Sequence, residues 1–183
     1  MKRFLLASLA VLLLHSAHAQ IWFTKTGAIS FFSHTEMEDI EAANNEAVSI
    51  IDAAKGEFSF QVLIKGFKFP KTTMQEHFNG ANYMNSDKFP KAEFKGKLVK
   101  PAAVNFKKDG VYTAEVEGDM TMHGITKKMK ATGKITITKG VPSVQATFKV
   151  NRTDFGIKVP SFTAAKIAEA IDITVQCKYE PYK

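Results

Sequence analysis

From Glu57 onward the chain repeatedly alternates apolar and polar residues, and this period of two leaves few folds open to it. Successive side chains of a strand point to opposite faces, so strict alternation builds a sheet with one buried and one wetted face. Phe58, Phe60, Val62 and Ile64 alternate with Glu57, Ser59, Gln61 and Leu63. Ala92, Phe94, Gly96 and Leu98 repeat the pattern. Tyr112, Ala114, Val116, Gly118, Met120 and Met122 share one face; Thr113, Glu115, Glu117, Asp119, Thr121 and His123 share the other. Ile135 and Ile137 follow, then Val144, Ala146, Phe148 and Val150, and finally Ile171, Ile173, Val175, Cys177 and Tyr179.

The punctuation agrees with short connections. Asp109-Gly110 is a favoured hairpin turn, Lys139-Gly140 with Pro142 separates another pair, and Gly27 and Gly56 mark strand starts or bends. Helical signals are few. Residues 72–84 predict one or two short turns with Phe78 and Tyr83 facing in. Residues 163–170 predict a surface helix capped by Ser161 or Thr163, and the polar stretch 37–44 predicts a loop or helical turn. About eight strands with few helices predict one all-β domain, an antiparallel barrel or sandwich.

The first residues have a separate logic. Lys2 and Arg3 precede an apolar run at 4–14, and Ala17-His18-Ala19 offers a small-x-small cleavage site. That is the layout of a secretory signal peptide over residues 1–19, with Gln20 as the expected first residue of a periplasmic or secreted product. No Cys stands at the cut, so lipid anchoring there is not expected. Loss of Lys2 and Arg3 lowers the formal charge from +7 to +5. The lysines are scattered among acids, which argues against a nucleic-acid surface. Nothing later predicts stable membrane insertion, and oligomerisation is left open.

Candidate chemistry is sparse. Cys177 is the one cysteine, so no internal disulfide and no multi-cysteine metal site can form. His34, His77 and His123 lie far apart, without metal-pair spacing. There is no G-x-S-x-G or H-E-x-x-H motif. Cys177 falls on an apolar face, where a thiol is a small hydrophobe. Neither catalysis nor a resident cofactor is expected. A barrel of ~8 strands is wide enough either to fill with side chains or to enclose one small ligand. Phe58, Phe60, Val62, Phe94, Met120, Met122, Phe148 and Cys177 all fall on inward faces. Rings and thioethers of this kind either line a slot for a long apolar molecule or simply fill the core. His77 and Arg152 are the polar candidates for a ligand headgroup at the rim, each with a structural alternative of tying down a loop. His123 reads as a corner residue whose side chain bonds between strands, with Lys127 and Lys128 on the solvent side.

Three segments carry a resemblance. "HFNGANYMNSDKFPKAEFKG" (77–96), "VEGDMTMHGITKKM" (116–129) and "NRTDFGI" (151–157) resemble, in order, the motifs of the YceI-like family. Residues 116–129 are similar to its Gly-x-Leu-x-Leu-His-Gly-Val-Thr-Lys segment. Met74-Gln75-Glu76-His77-Phe78 stands where the family often has Arg-Asp before His-Leu, and residues 30–52 have their own pattern rather than the family's commoner Gly-x-Phe arrangement, so the chain resembles a divergent branch. The resemblance implies a lipocalin-like up-and-down barrel holding a long isoprenoid, such as that of a quinone, or another amphiphile. Carriage or sequestration is then the expected role. A filled barrel acting on an envelope partner, and an enzyme acting on a lipid-like substrate, are the competing readings.

Overall fold

The computed structural model describes residues 20–182; the leader reading of residues 1–19 lies outside the described residues. The strands are β1 Ile21–His34, β2 Asp39–Asp52, β3 Glu57–Leu63, β4 Lys91–Leu98, β5 Gly110–Met122, β6 Ile125–Thr138, β7 Val141–Asn151, β8 Ala170–Lys178 and the two-residue β9 Glu180–Pro181. Two helices, α1 Thr72–Asn79 and α2 Ser161–Ala164, lie in the longer connections. Each strand pairs antiparallel with the next, and β1 pairs with both β2 and β8, which closes eight strands into an up-and-down barrel. β9 adds a short pairing to the start of β1. Closure removes most of the exposed sheet edge an open meander would carry, all but the upper parts of β6 and β7.

Alternation decides the wall. The row Ile51–Phe58–Gly96–Gly118–Met129 runs across five strands in register, as does Phe60–Phe94–Met120 across three. The facing acids of β5 meet lysines of β6 outside: Lys128 lies 2.9 Å from Asp119, and Lys130 lies 3.6 and 3.7 Å from Glu115 and Glu117. Such exposed pairs contribute little to stability.

β1 and β2 are long strands, and the loop or helical turn expected at 37–44 is instead the tight β1–β2 turn and the start of β2. The alternation there was hard to see for two reasons. The inward residues of β2 include the small or polar Ala42, Asn44, Ala47 and Ser49, all buried. The register also slips between Thr24, Gly27 and Ile29 of β1, where Gly27 meets Ala47 and Ile29 meets Asn44. Buried polar groups need partners, and Asn44 has them: its amide donates to the Leu63 carbonyl at 3.0 Å and its oxygen accepts from the Glu46 N–H at 2.8 Å.

Two connections also differ from expectation. Asp109-Gly110 is not a hairpin turn. Residues 99–109 cross the barrel end, carrying Val104 and Phe106 into the core, and Gly110 begins β5. The Asp109 carboxylate instead accepts from the main-chain N–H groups of Lys139 and Gly140 at 2.7 and 2.9 Å, clamping the β6–β7 turn. Those donors, Gly140 first, hold its carboxyl below the ordinary range. The helix expected at 163–170 is shifted forward to Ser161–Ala164, after Pro160. Ala170 is drawn into β8 opposite Asn151, and the Glu169 carbonyl accepts from the Arg152 N–H, so the later residues cannot stay helical.

His123 and Gly124 form the two-residue β5–β6 turn, with φ of 52° and 77° between the pair Met122 and Ile125. Two left-handed residues match the twist of a hairpin, and His tolerates that region better than most side chains. The His123 Nδ1–H donates to the Phe155 carbonyl at 3.1 Å, so it is the corner residue expected of it. β6 and β7 pair only from Thr138–Val141 up to Gly133–Ala146. There they cross closely: a Cβ on Gly133 would lie 2.7 Å from the Gln145 carbonyl oxygen. Above that crossing the two strands part, and the Arg152–Phe155 turn packs across the gap at its upper end.

Candidate functional site

The barrel has a packed floor, a covered upper end and a cavity of about 500 Å³ between them. Trp22, Ile51, Leu98, Val104, Phe106 and Ile137 are buried in the floor. The upper end is covered by α1, the Arg152–Phe155 turn and α2. Phe31, Phe67, Phe69 and Phe78 form an aromatic cluster there, with ring centroids 5.0 to 5.8 Å apart. Phe78 and Tyr83 face in, as expected.

The inward side chains above the floor are not packed against one another. Phe58, Phe60, Phe94, Met120, Met122 and Phe148 line the cavity and are only half-buried. Inward-pointing apolar groups keep accessible surface only where the space before them is empty. Val62 also lines the cavity and is buried. Across the parted strands, Met129 and Ala131 of β6 and Phe148 and Val150 of β7 add wall on both sides.

The polar groups at the lower end are paired among themselves. Ser49, Ser59 and Tyr179 reach the cavity. The single hydroxyl proton of Ser49 goes to the Ser59 carbonyl at 2.9 Å, so the Tyr179 hydroxyl donates to Ser49 Oγ at 2.7 Å. Burial raises the Tyr179 pKa. The mouth lies at the other end. His77, exposed on α1, stacks on Tyr83 at 6.3 Å and 14°. Tyr83 bonds to Thr163 at 3.3 Å, and Lys166 lies 3.8 Å from Glu38. All five reach the cavity. They come from three connections far apart in sequence, so no local pattern announces them; of the five, only His77 is a sequence candidate for the site.

Arg152 also reaches the cavity. Its Nε–H donates to the Ala168 carbonyl at 3.2 Å and an Nη1–H to the Ile157 carbonyl at 3.1 Å, so the guanidinium ties the β7–β8 connection together. The Phe58, Phe60, Val62, Phe94, Met120, Met122, Phe148, His77 and Arg152 positions thus surround one space.

Cys177 does not line that space. It is buried in the floor, where a Cβ added to Gly27 would lie 2.8 Å from its sulfur. The alternation fixes its inward orientation but carries no information on height along the barrel axis. Burial pushes the thiol from 9.0 up to about 11. The folded protein is expected to resist alkylation by a maleimide at pH 8, with rapid labelling once urea unfolds it. The pH dependence has a definite sign. Below 9 the thiol is protonated in both states; between 9 and 11 the unfolded chain loses its proton first. Stability therefore falls as pH rises through that window, by up to about 2 kcal/mol from this group. Urea melts of the parent and Cys177→Ser at pH 8 and pH 11 would measure it; equal slopes in both proteins would contradict the assignment.

Residues 14–179 match the family model described as the YceI-like domain. The chain belongs to the YceI-like family. A UPF0312 protein of Pseudomonas putida (strain GB-1) is 36% identical to this YceI-like chain over 107 residues, 55% of the chain and 51% of that protein. The chain thus spans about half the length of the curated relatives it matches. A polyisoprenoid binding domain from Saccharophagus degradans, implicated in plant cell wall breakdown, superposes with a TM-score of 0.76 at 12% identity, covering 90% of this chain and 99% of that one. Burkholderia cenocepacia BcnA superposes with a TM-score of 0.71 at 14% identity, covering 84% and 96%. At such identities the likeness concerns the fold: the YceI-like, lipocalin-like barrel.

Proposed function

We propose that this protein binds an isoprenoid or another long-chain amphiphile in the hollow of its barrel, as an exported carrier or sequestering protein rather than a catalyst. The observation that carries this reading is the continuous cavity of about 500 Å³ walled by phenylalanine, methionine and aliphatic side chains. Ligand pockets run to roughly 300–1,000 Å³ and pair apolar walls with few polar groups. The wall is overwhelmingly apolar, so an apolar occupant takes that surface out of contact with water. Each buried methylene of that occupant contributes about 0.8 kcal/mol. The polyisoprenoid-binding description of the Saccharophagus degradans domain, which shares the barrel, supports the ligand class. The leader-like residues 1–19 support export. A barrel filled by its own side chains does not fit the half-buried inner faces of Phe58, Phe94 and Met120.

Native mass spectrometry of gently purified protein tests the reading. The expected spectrum shows adducts of lipid mass, and the stripped protein takes up added isoprenoid quinones or fatty acids. A clean unliganded mass that none of these additions changes would refute it.

A further inference from the structure

Two large apolar side chains stand in solvent at the cavity mouth, and nothing in the barrel's own packing needs them there. Phe162 is 82% exposed and Met37 is 64% exposed. Each neighbours a residue that reaches the cavity, Thr163 and Glu38 respectively. Their connections are fastened side by side: the Ala168 N–H donates to Ser33 Oγ at 2.9 Å, and Lys166 lies 3.8 Å from Glu38. Lys71, Lys158 and Lys166 are exposed in the connections of this same end, and the formal charge of +7 is +5 once Lys2 and Arg3 are left out.

We propose that the mouth end seats on a lipid bilayer, with Phe162 and Met37 inserted among the headgroups, so that an amphiphile passes between bilayer and cavity without crossing water. This rests on the amphiphile-binding reading above. A bilayer fits these two residues better than a protein does. A stable protein interface buries ~800 Å² per partner, far more than two side chains on separate connections supply. Insertion into a fluid headgroup layer needs no complementary surface, and amphipathic anchors use this combination of aromatic, aliphatic and lysine side chains. Positive charge at the rim complements anionic lipids, while Glu36 and Glu38 beside Met37 keep the charge contribution modest, so apolar insertion dominates. Among the described residues no helix is long and apolar enough to cross a membrane, so the contact is peripheral. The benefit is kinetic: each methylene forced through water slows release about fourfold.

The test uses the chain from Gln20 onward, which holds every described strand, and vesicles of phosphatidylethanolamine and phosphatidylglycerol in equal parts. Trp22 is buried in the floor at the far end, so the introduced indole of Phe162→Trp reports on the mouth alone. Its emission is expected to shift to the blue when vesicles are added. The double variant Met37→Asp with Phe162→Asp is expected to float with vesicles at least tenfold less, and to accept a pyrene-labelled fatty acid from them correspondingly more slowly. Its equilibrium uptake of that fatty acid in vesicle-free buffer should match the parent, since both side chains lie outside the cavity wall. An unshifted indole, undiminished flotation of the double variant, or a parent dimer that the double variant breaks would overturn the proposal. Vesicle binding lost in the double variant while no fatty acid enters either protein would uphold the docking surface and remove the amphiphile reading instead.

Discussion

Replacing Met120 and Met122 together by aspartate is expected to abolish amphiphile binding, with affinity falling more than a hundredfold. Both thioethers line the cavity and pack against the buried core. A carboxylate in their place either holds water where the chain should lie or must take up a proton, and each route costs several kcal/mol. The second route gives a signature: part of the affinity returns as pH falls and the carboxylates neutralise. Because the double variant also strains folding, Ala131→Trp provides a milder block. Ala131 faces the cavity from β6, paired with Val116 of β5 on one side and with no β7 partner on the other, so an indole there can turn into ligand space on the open side. It is expected to bind poorly and melt no lower than the parent. His123→Asn should keep affinity within about twofold, because Asn suits the left-handed turn position and His123 points at the Phe155 carbonyl, away from the cavity. Fluorescent fatty-acid titrations with circular dichroism melts would decide all three. Undiminished binding in Ala131→Trp, or loss in His123→Asn, would contradict the cavity assignment.

Gly118→Ala is expected to lose about 3 kcal/mol of stability or more, lowering the melting temperature by about 10 °C. A Cβ at Gly118 would overlap the Lys95 carbonyl oxygen and the Gly96 Cα on the neighbouring strand. Those are main-chain atoms of a paired strand, so no rotamer change relieves the overlap. Gly140→Ala is the informative comparison. It has φ of 76° with nothing within 4 Å of the added Cβ, so only backbone strain opposes it. That strain costs about 1 kcal/mol. Urea melts that rank the two in the opposite order would contradict the account.

The position of Gly118 also shows how the family segment works physically. In "GDMTMHGI" the glycine lets two strands approach, the methionines supply cavity wall, and His123-Gly124 turns the chain. The alternation alone separates Met120 and Met122 from Asp119, Thr121 and His123, because a strand's period of two admits no other division. The all-β class and the inward residues of β3, β4, β5, β7 and β8 follow from the same rule. β2 escapes it because most of its inward positions, Ala42, Asn44, Ala47 and Ser49, are small or polar and its phase slips against β1.

Periodicity is a one-dimensional property, and it determined which face each side chain takes. Height along the barrel axis is a property of closure, and only the tertiary structure decided it. Cys177 and Phe148 look alike in sequence, both inward on apolar strands, yet one is locked in the floor and the other borders the void. Whether the inward residues fill the barrel or leave it hollow depends on the strand crossing at Gly133, the parting of β6 and β7 above it, and the covers that residues 64–90 and 152–169 lay across the upper end. The mouth was illegible for the same reason. Glu38, His77 and Thr163 meet only because three distant connections converge at one end of a closed sheet.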